Sequence, residues 1–129
     1  MVALFKVKAL ATEELSEVWP IVRSSGDYAN EDWWIAEASR VIANGGGVLV
    51  ARAADGCLHA VASFERPERP GHDALVVRTL ITFELSPNEP ARTAVLNALK
   101  RIATKLQCTH LILPLAGVVR PPHERIISR

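Results

Sequence analysis

The sequence predicts one α/β (α+β) domain built on a mixed sheet, with helices on both faces. The element order is strand, helix, helix, three strands, helix, strand. Three observations carry this reading. Two β-rich runs, 48–53 and 58–64, flank an Asp55-Gly56 turn signature. Three segments repeat apolar residues at helical spacing. A long apolar, β-branched run at 75–85 is followed by a helix pattern and then another strand, which requires a parallel crossover of right-handed sense.

Residues 4–10 alternate with lysines between apolar positions and read as the first strand. Thr12 offers an N-cap, Glu13 and Glu14 suit a first turn, and Leu15, Val18, Trp19 and Val22 share one helical face, ended by Ser24-Ser-Gly-Asp27. A second helix opens near Asn30 or Asp32 and buries Trp34, Ile35, Ala38, Val41 and Ile42. Gly45-Gly46-Gly47 stops it, because consecutive glycines carry a large entropic cost inside a helix. The hairpin follows. Its turn is expected to hold two residues. The stretch 65–73 contains two prolines, which lack ladder donors, and reads as a solvated connection; its tandem Glu-Arg-Pro is the only argument for a binding motif there. Residues 75–85 form the central strand and 86–90 a turn into the third helix, whose apolar face is Ala94, Val95, Leu96, Leu99, Ile102, Ala103 and Leu106. Residues 110–115 make the last strand, and 116–129 an extended tail with at most one short strand.

Composition fits one domain over residues 1–129, since no second composition block exists. Hydrophobic residues are 49% and charged residues 22%, enough for a core and too apolar for disorder. The net charge is +1, with 15 basic residues interleaved among 14 acidic ones, which argues against a nucleic-acid partner. No apolar window approaches the ~18 residues of a membrane span, and the lysine-bearing N-terminus reads as a strand and not a signal peptide. Cys57 and Cys108 lack metal spacing and read as reduced, partly buried side chains, so a cytoplasmic protein is expected. The histidines His59, His72, His110 and His123 have no ligand spacing, and no metal site is expected.

The element order and the stretch Val48-Leu-Val-Ala-Arg-Ala-Ala-Asp-Gly-Cys-Leu-His-Ala-Val-Ala62, with its Ala-x-x-x-Asp-Gly turn, resemble the GNAT (acyl-CoA N-acyltransferase) superfamily. The helix and strand at 96–115 look like the second half of that superfamily's cofactor motif. The resemblance covers residues 4–115 and marks the chain as a divergent, C-terminally short member. It implies acetyl-CoA, with its pyrophosphate on backbone N–H groups of an Arg/Gln-x-x-Gly-x-Gly/Ala loop at the start of the third helix. There the dipole and orphan donors attract phosphate. Aligned on that helix, Pro87, Pro90 and Arg92 occupy the motif positions, so both glycines are lost and the phosphate loop is degenerate. The implied cofactor contacts are Leu85, Asn88, Arg92 and Thr93. The same segment can be read without a ligand, with Asn88 as N-cap and Pro90 in the first helical turn.

Two side chains are candidates for the base that deprotonates an acceptor amine. Glu84 stands in an apolar strand run, where burial would raise its pKa, or is an ion-paired glutamate at a strand end. His59 on the hairpin is the other, or a solvent-facing histidine. Tyr28 and Trp33 fall where the family's acceptor groove would run, and each can equally be a packing aromatic. The family's usual tyrosine acid beyond the last strand has no counterpart, since Tyr28 is the only tyrosine. Two functions follow: a divergent N-acetyltransferase acting on an unidentified small-molecule amine, or a non-catalytic GNAT-fold module used for dimerisation or for binding a small molecule or protein. An open sheet edge makes a homodimer the expected assembly.

Overall fold

The computed structural model describes residues 5–66, 74–83 and 88–114. The elements are β1 (Phe5–Ala9), a 3-10 helix (Thr12–Val18), α1 (Trp19–Ser24), α2 (Glu31–Ala43), β2 (Gly47–Ala53), β3 (Leu58–Glu65), β4 (Ala74–Thr82), α3 (Pro90–Lys105) and β5 (His110–Ile112). The five strands lie in sequence order in one sheet. The first four are antiparallel, and β4 pairs with β5 in parallel. The expected order and the mixed sheet are therefore present.

Strand alternation sorts the sheet residues onto two cores. Leu49, Ala51, Ala60, Ala62, Phe64, Leu75 and Val77 pack against Ala91, Val95, Ala98, Leu99 and Ala103 of α3. Val48, Val50 and Val61 pack on the other face against Leu15, Val18, Val22, Trp34, Ala38 and Val41. Trp34 is fully buried, and its indole N–H donates to the Leu15 carbonyl at 3.0 Å, tying α2 to the 3-10 helix.

The strands expected at 75–85 and 110–115 are shorter, ending at Thr82 and Ile112, and β3 rather than β4 is the central strand; four further local details differ from the sequence expectations. The first helix is split into a 3-10 segment and α1. Pro20 has no N–H to give Ser16, so the chain closes there by a bond from Trp19 N–H to the Ser16 carbonyl. The hairpin turn holds three residues, 54–56, and not two: Gly56 N–H donates to Ala53 O, Ala53 N–H donates to Cys57 O, and Gly56 takes φ 87°. This is a type I turn closed by a left-handed glycine. Cys57, beside it, is exposed and not partly buried. The N-cap of α3 is Glu89, in the left-handed region at φ 47°, with Pro90 opening the helix, so Asn88 is not the cap. The tail at 116–129 and the connection at 67–73 lie outside the described residues.

α2 ends as the sequence requires. Asn30 caps its start by accepting the Trp33 N–H at 2.8 Å. At its end Gly45 takes φ 89° and Gly46 N–H donates to Val41 O at 2.7 Å. A Cβ on Gly46 would stand 2.2 Å from the Phe64 carbonyl oxygen.

Candidate functional site

The irregularity of the sheet centres on β4. Ser63 faces Thr79 and Phe64 faces Val77, so Arg78 is an extra residue with no Cα partner on β3. Such a bulge turns the strand and re-aims its side chains. Leu75 and Val77 point to the α3 core, whereas Thr79 and Ile81 turn to the α1–α2 side. Pairing with β5 covers only Ala74, Leu75 and Val76. Beyond Val76, among the described residues, β4 has no partner on its β5 side. The end of pairing and the bulge thus fall within two residues of each other.

A polar cluster sits at this point. Thr79 and Ser63 are each 2% exposed. The Tyr28 hydroxyl and Thr79 Oγ1 are 2.9 Å apart and share a hydrogen bond, so the loop between α1 and α2 is fastened to β4. Burial pushes the Tyr28 phenol up; the Thr79 bond pulls against this, and the Glu37 and Asp27 carboxylates add to the rise. The phenol is therefore neutral at physiological pH and available as a donor, not as a base. Next to it the Glu65 carboxylate bridges Arg78 at 3.0 Å and Arg40 at 3.5 Å. Arg40 also grips Glu37, holding that carboxyl below its ordinary value.

The sequence candidates divide among three places. Tyr28 and Trp33 are brought together, with ring centroids 6.2 Å apart in an edge contact. His59 is the extra residue of a second bulge, between the Ala51–Ala60 and Arg52–Leu58 pairs. Its Nδ1 lies 3.1 Å from the Phe83 carbonyl, its own carbonyl accepts the Phe83 N–H at 2.8 Å, and its ring meets Phe5 edge-on. It is half-buried and not simply solvent-facing. A carbonyl only accepts, so Nδ1 carries a proton, and in the neutral ring the lone pair is on Nε2. Phe83 stands four residues beyond Thr79, or about 13 Å along the strand, so His59 is at the strand end and apart from the Tyr28 cluster. Asn88, Arg92 and Thr93 are gathered at the start of α3, where Thr93 N–H donates to the Glu89 carbonyl. Glu84 and Leu85 lie outside the described residues.

Sequence reasoning missed Ser63, Glu65, Arg78 and Thr79. The available signal was Arg78-Thr79 breaking the apolar run of 75–85, the same kind of interruption that singled out Glu84. A shallow groove of about 230 Å³ between α3 and the β1–β2 edge, lined by Val7, Leu49, Ala98, Arg101, Ile102 and Lys105, is a separate feature. It begins about 12 Å along α3 from Pro90. Among the described residues no group of acidic, histidine and cysteine side chains is placed to hold a metal, and no helix is long and apolar enough to cross a membrane.

No family model matches the chain, and no curated protein matches it in sequence. Solved structures do match in shape. A predicted acetyltransferase from Clostridium acetobutylicum with acetyl-CoA superposes with TM-score 0.70 at 13% identity, covering 93% of this chain and 86% of that one. The aminoglycoside N-acetyltransferase AAC(6')-Iy in complex with CoA gives 0.69 at 12% identity, covering 86% and 76%. The ribosomal-protein-alanine N-acetyltransferase of Brucella melitensis biovar Abortus gives 0.69 at 19%, covering 89% and 82%. The fold is that of the GNAT acetyltransferases, as the element order implied.

Proposed function

We propose that this chain is an acyl-CoA-dependent N-acyltransferase, with acetyl-CoA as donor and a small-molecule amine as acceptor. The observation that carries the reading is the coincidence on β4: pairing with β5 stops at Val76, the strand bulges at Arg78, and Tyr28 is bonded to Thr79. Among the described residues the β4 edge beyond Val76 has no partner on its β5 side, and such an edge offers evenly spaced N–H and C=O groups to an extended chain containing amides. The pantetheine arm of CoA is such a chain. Two similar structures, AAC(6')-Iy and the C. acetobutylicum protein, hold CoA and acetyl-CoA respectively.

The chemistry asks little of the protein. The amine nitrogen attacks the thioester carbonyl carbon, the C–S bond breaks, the CoA thiolate takes up a proton, and the amine loses one. A backbone N–H of β4 beyond Val76 would polarise the carbonyl. His59, with Nδ1 held by Phe83, would offer Nε2 as base, and Glu84 is the second candidate. Arg92, Thr93 and Asn88 at the start of α3 would meet the pyrophosphate. Pro90 supplies no N–H there, and Glu89 adds a carboxylate, so Arg92 must provide much of the positive charge. The same two residues favour the second reading, a non-catalytic module that kept the sheet for dimerisation or ligand binding.

Release of free thiol from acetyl-CoA, followed with a thiol reagent against a panel of amines, separates the two. The transferase reading expects amine-dependent thiol release that falls at least about tenfold in His59→Ala or Glu84→Gln, the loss of a general base. Hydrolysis that no amine accelerates, equal in wild type and both variants, contradicts it.

A further inference from the structure

The far edge of the sheet, at β1, presents backbone groups that no strand meets. Leu10 N–H donates to the Val48 carbonyl at 2.8 Å, and this pair continues the register that runs from Phe5–Ala53 to Ala9–Leu49. Bonded and non-bonded pairs alternate along an antiparallel ladder. Lys6 and Lys8 therefore bond to β2, and the N–H and C=O groups of Phe5, Val7 and Ala9 point away from it. Among the described residues β1 pairs with β2 alone. This edge is three strand spacings from β4, about 14 Å.

Beside this edge lies the groove between α3 and the β1–β2 pair. Its floor is Val7, Leu49, Ala98 and Ile102, and its rim is Arg101 and Lys105. Ala98, Arg101, Ile102 and Lys105 recur at i, i+3, i+4 and i+7, so one stripe of α3 turns to β1. Arg101 and Lys105 are exposed and take part in none of the ion pairs among the described residues. Residues 1–12 and 90–112 contain no aspartate or glutamate, so on the α3 face the unmatched charge is all positive. On the opposite face Lys8 is matched by Glu14 at 3.8 Å and Arg52 by Glu17 at 2.7 Å, while Lys6 is exposed and in none of those pairs.

We infer that the β1 edge and the α3 groove together dock an extended acidic peptide segment of another protein, which adds to the sheet as a sixth strand. The free amides of β1 supply the ladder, the groove takes alternate side chains, and the two cations select their charge. The spacing suits this occupant. Arg101 and Lys105 stand about 6 Å apart along the helix axis, and alternate residues on one face of a strand stand about 6.7 Å apart. Glutamates at i and i+2 of the added strand thus reach one cation each, with their methylene groups over the apolar floor. A second copy of this chain is a poorer occupant, because β1 against β1 sets Lys6 and Lys8 among like charges. The site is separate from the opening on β4 and holds whether the chain is a transferase or not.

The test is titration of the isotopically labelled full chain at low salt with a capped heptapeptide in which glutamate and threonine alternate. The amides of Val7, Ala9 and residues 98–105 shift saturably, and those of Val7 and Ala9 gain protection from solvent exchange. The double change Arg101→Gln, Lys105→Gln weakens the peptide by about fivefold or more, and so does glutamine in place of each glutamate. Lys100→Gln removes an exposed cation about half a turn of α3 away from the stripe and leaves the affinity within about twofold. A proline at the centre of the peptide, which cannot donate to the ladder, abolishes the protection at Val7 and Ala9. No shift at millimolar peptide overturns the inference, as does equal affinity for the same residues in blocked order. Equal shifts of these amides with oligothymidylate, which mark general polyanion binding, also overturn it. So do the same shifts on raising the protein concentration alone, which place a second copy on the edge.

Discussion

A single hydroxyl pair ties the candidate site to the core. Tyr28 and Thr79 lie 51 positions apart in sequence, and their bond gives the buried Thr79 hydroxyl a partner in the half-buried Tyr28 phenol. Tyr28→Phe removes one and strands the other. The expected cost is about 1–2 kcal/mol in denaturant unfolding, whereas the double change with Thr79→Val costs less than the two single changes added together. Additive costs would mean that the bond carries no stability. Tyr28 was legible in the sequence as a residue bordering a groove, but its partner was not. A threonine inside a β-rich run looks like any other strand residue until the bulge at Arg78 turns it toward the helices.

At the scale of elements, the most exacting contact is the crossing of the α2 terminus over β3. Three successive glycines announced a helix stop, and the first two have different tasks. Gly45 supplies the left-handed turn, while Gly46 passes directly over the Phe64 carbonyl. Gly46→Ala places a methyl 2.2 Å from that oxygen and 2.9 Å from the Val41 carbonyl, and neither backbone atom can move aside cheaply. It should lower unfolding free energy by about 3 kcal/mol, seen as a fall in thermal midpoint; an unchanged midpoint would mean the crossing is looser than described. The other element boundaries were less legible because they turn on one missing or extra group. Pro20 deletes a donor and converts a helical turn to 3-10 geometry. Ala54 joins Asp55 and Gly56 as a third residue in a turn that Asp-Gly alone marks as two. Glu89 enters α3 in a left-handed conformation that costs an L-residue about 1–2 kcal/mol, and no propensity favours it there.

Over the whole molecule, periodicity carried the architecture. Alternation in the strands and 3.6-residue spacing in the helices separate the two cores, and the hairpin and crossover fix the mixed sheet. The site was legible only in part, because it arises where those regularities fail: an extra residue on β4 and a parallel pairing of three residues. Register is a relation between strands, and one strand's sequence does not contain it. The candidate base His59 is bonded to Phe83 just past β4, the phosphate contacts around Arg92 lie at the start of α3, and the β4 edge beyond Val76, without a β5 partner among the described residues, is the opening at issue. The central claim is that this opening receives the donor. Calorimetry with acetyl-CoA at low salt, on wild type and Arg92→Ala, tests it most directly. The account predicts binding of micromolar order that weakens by about tenfold in the variant, the loss of one charge-assisted phosphate contact. No heat of binding at millimolar acetyl-CoA would contradict it.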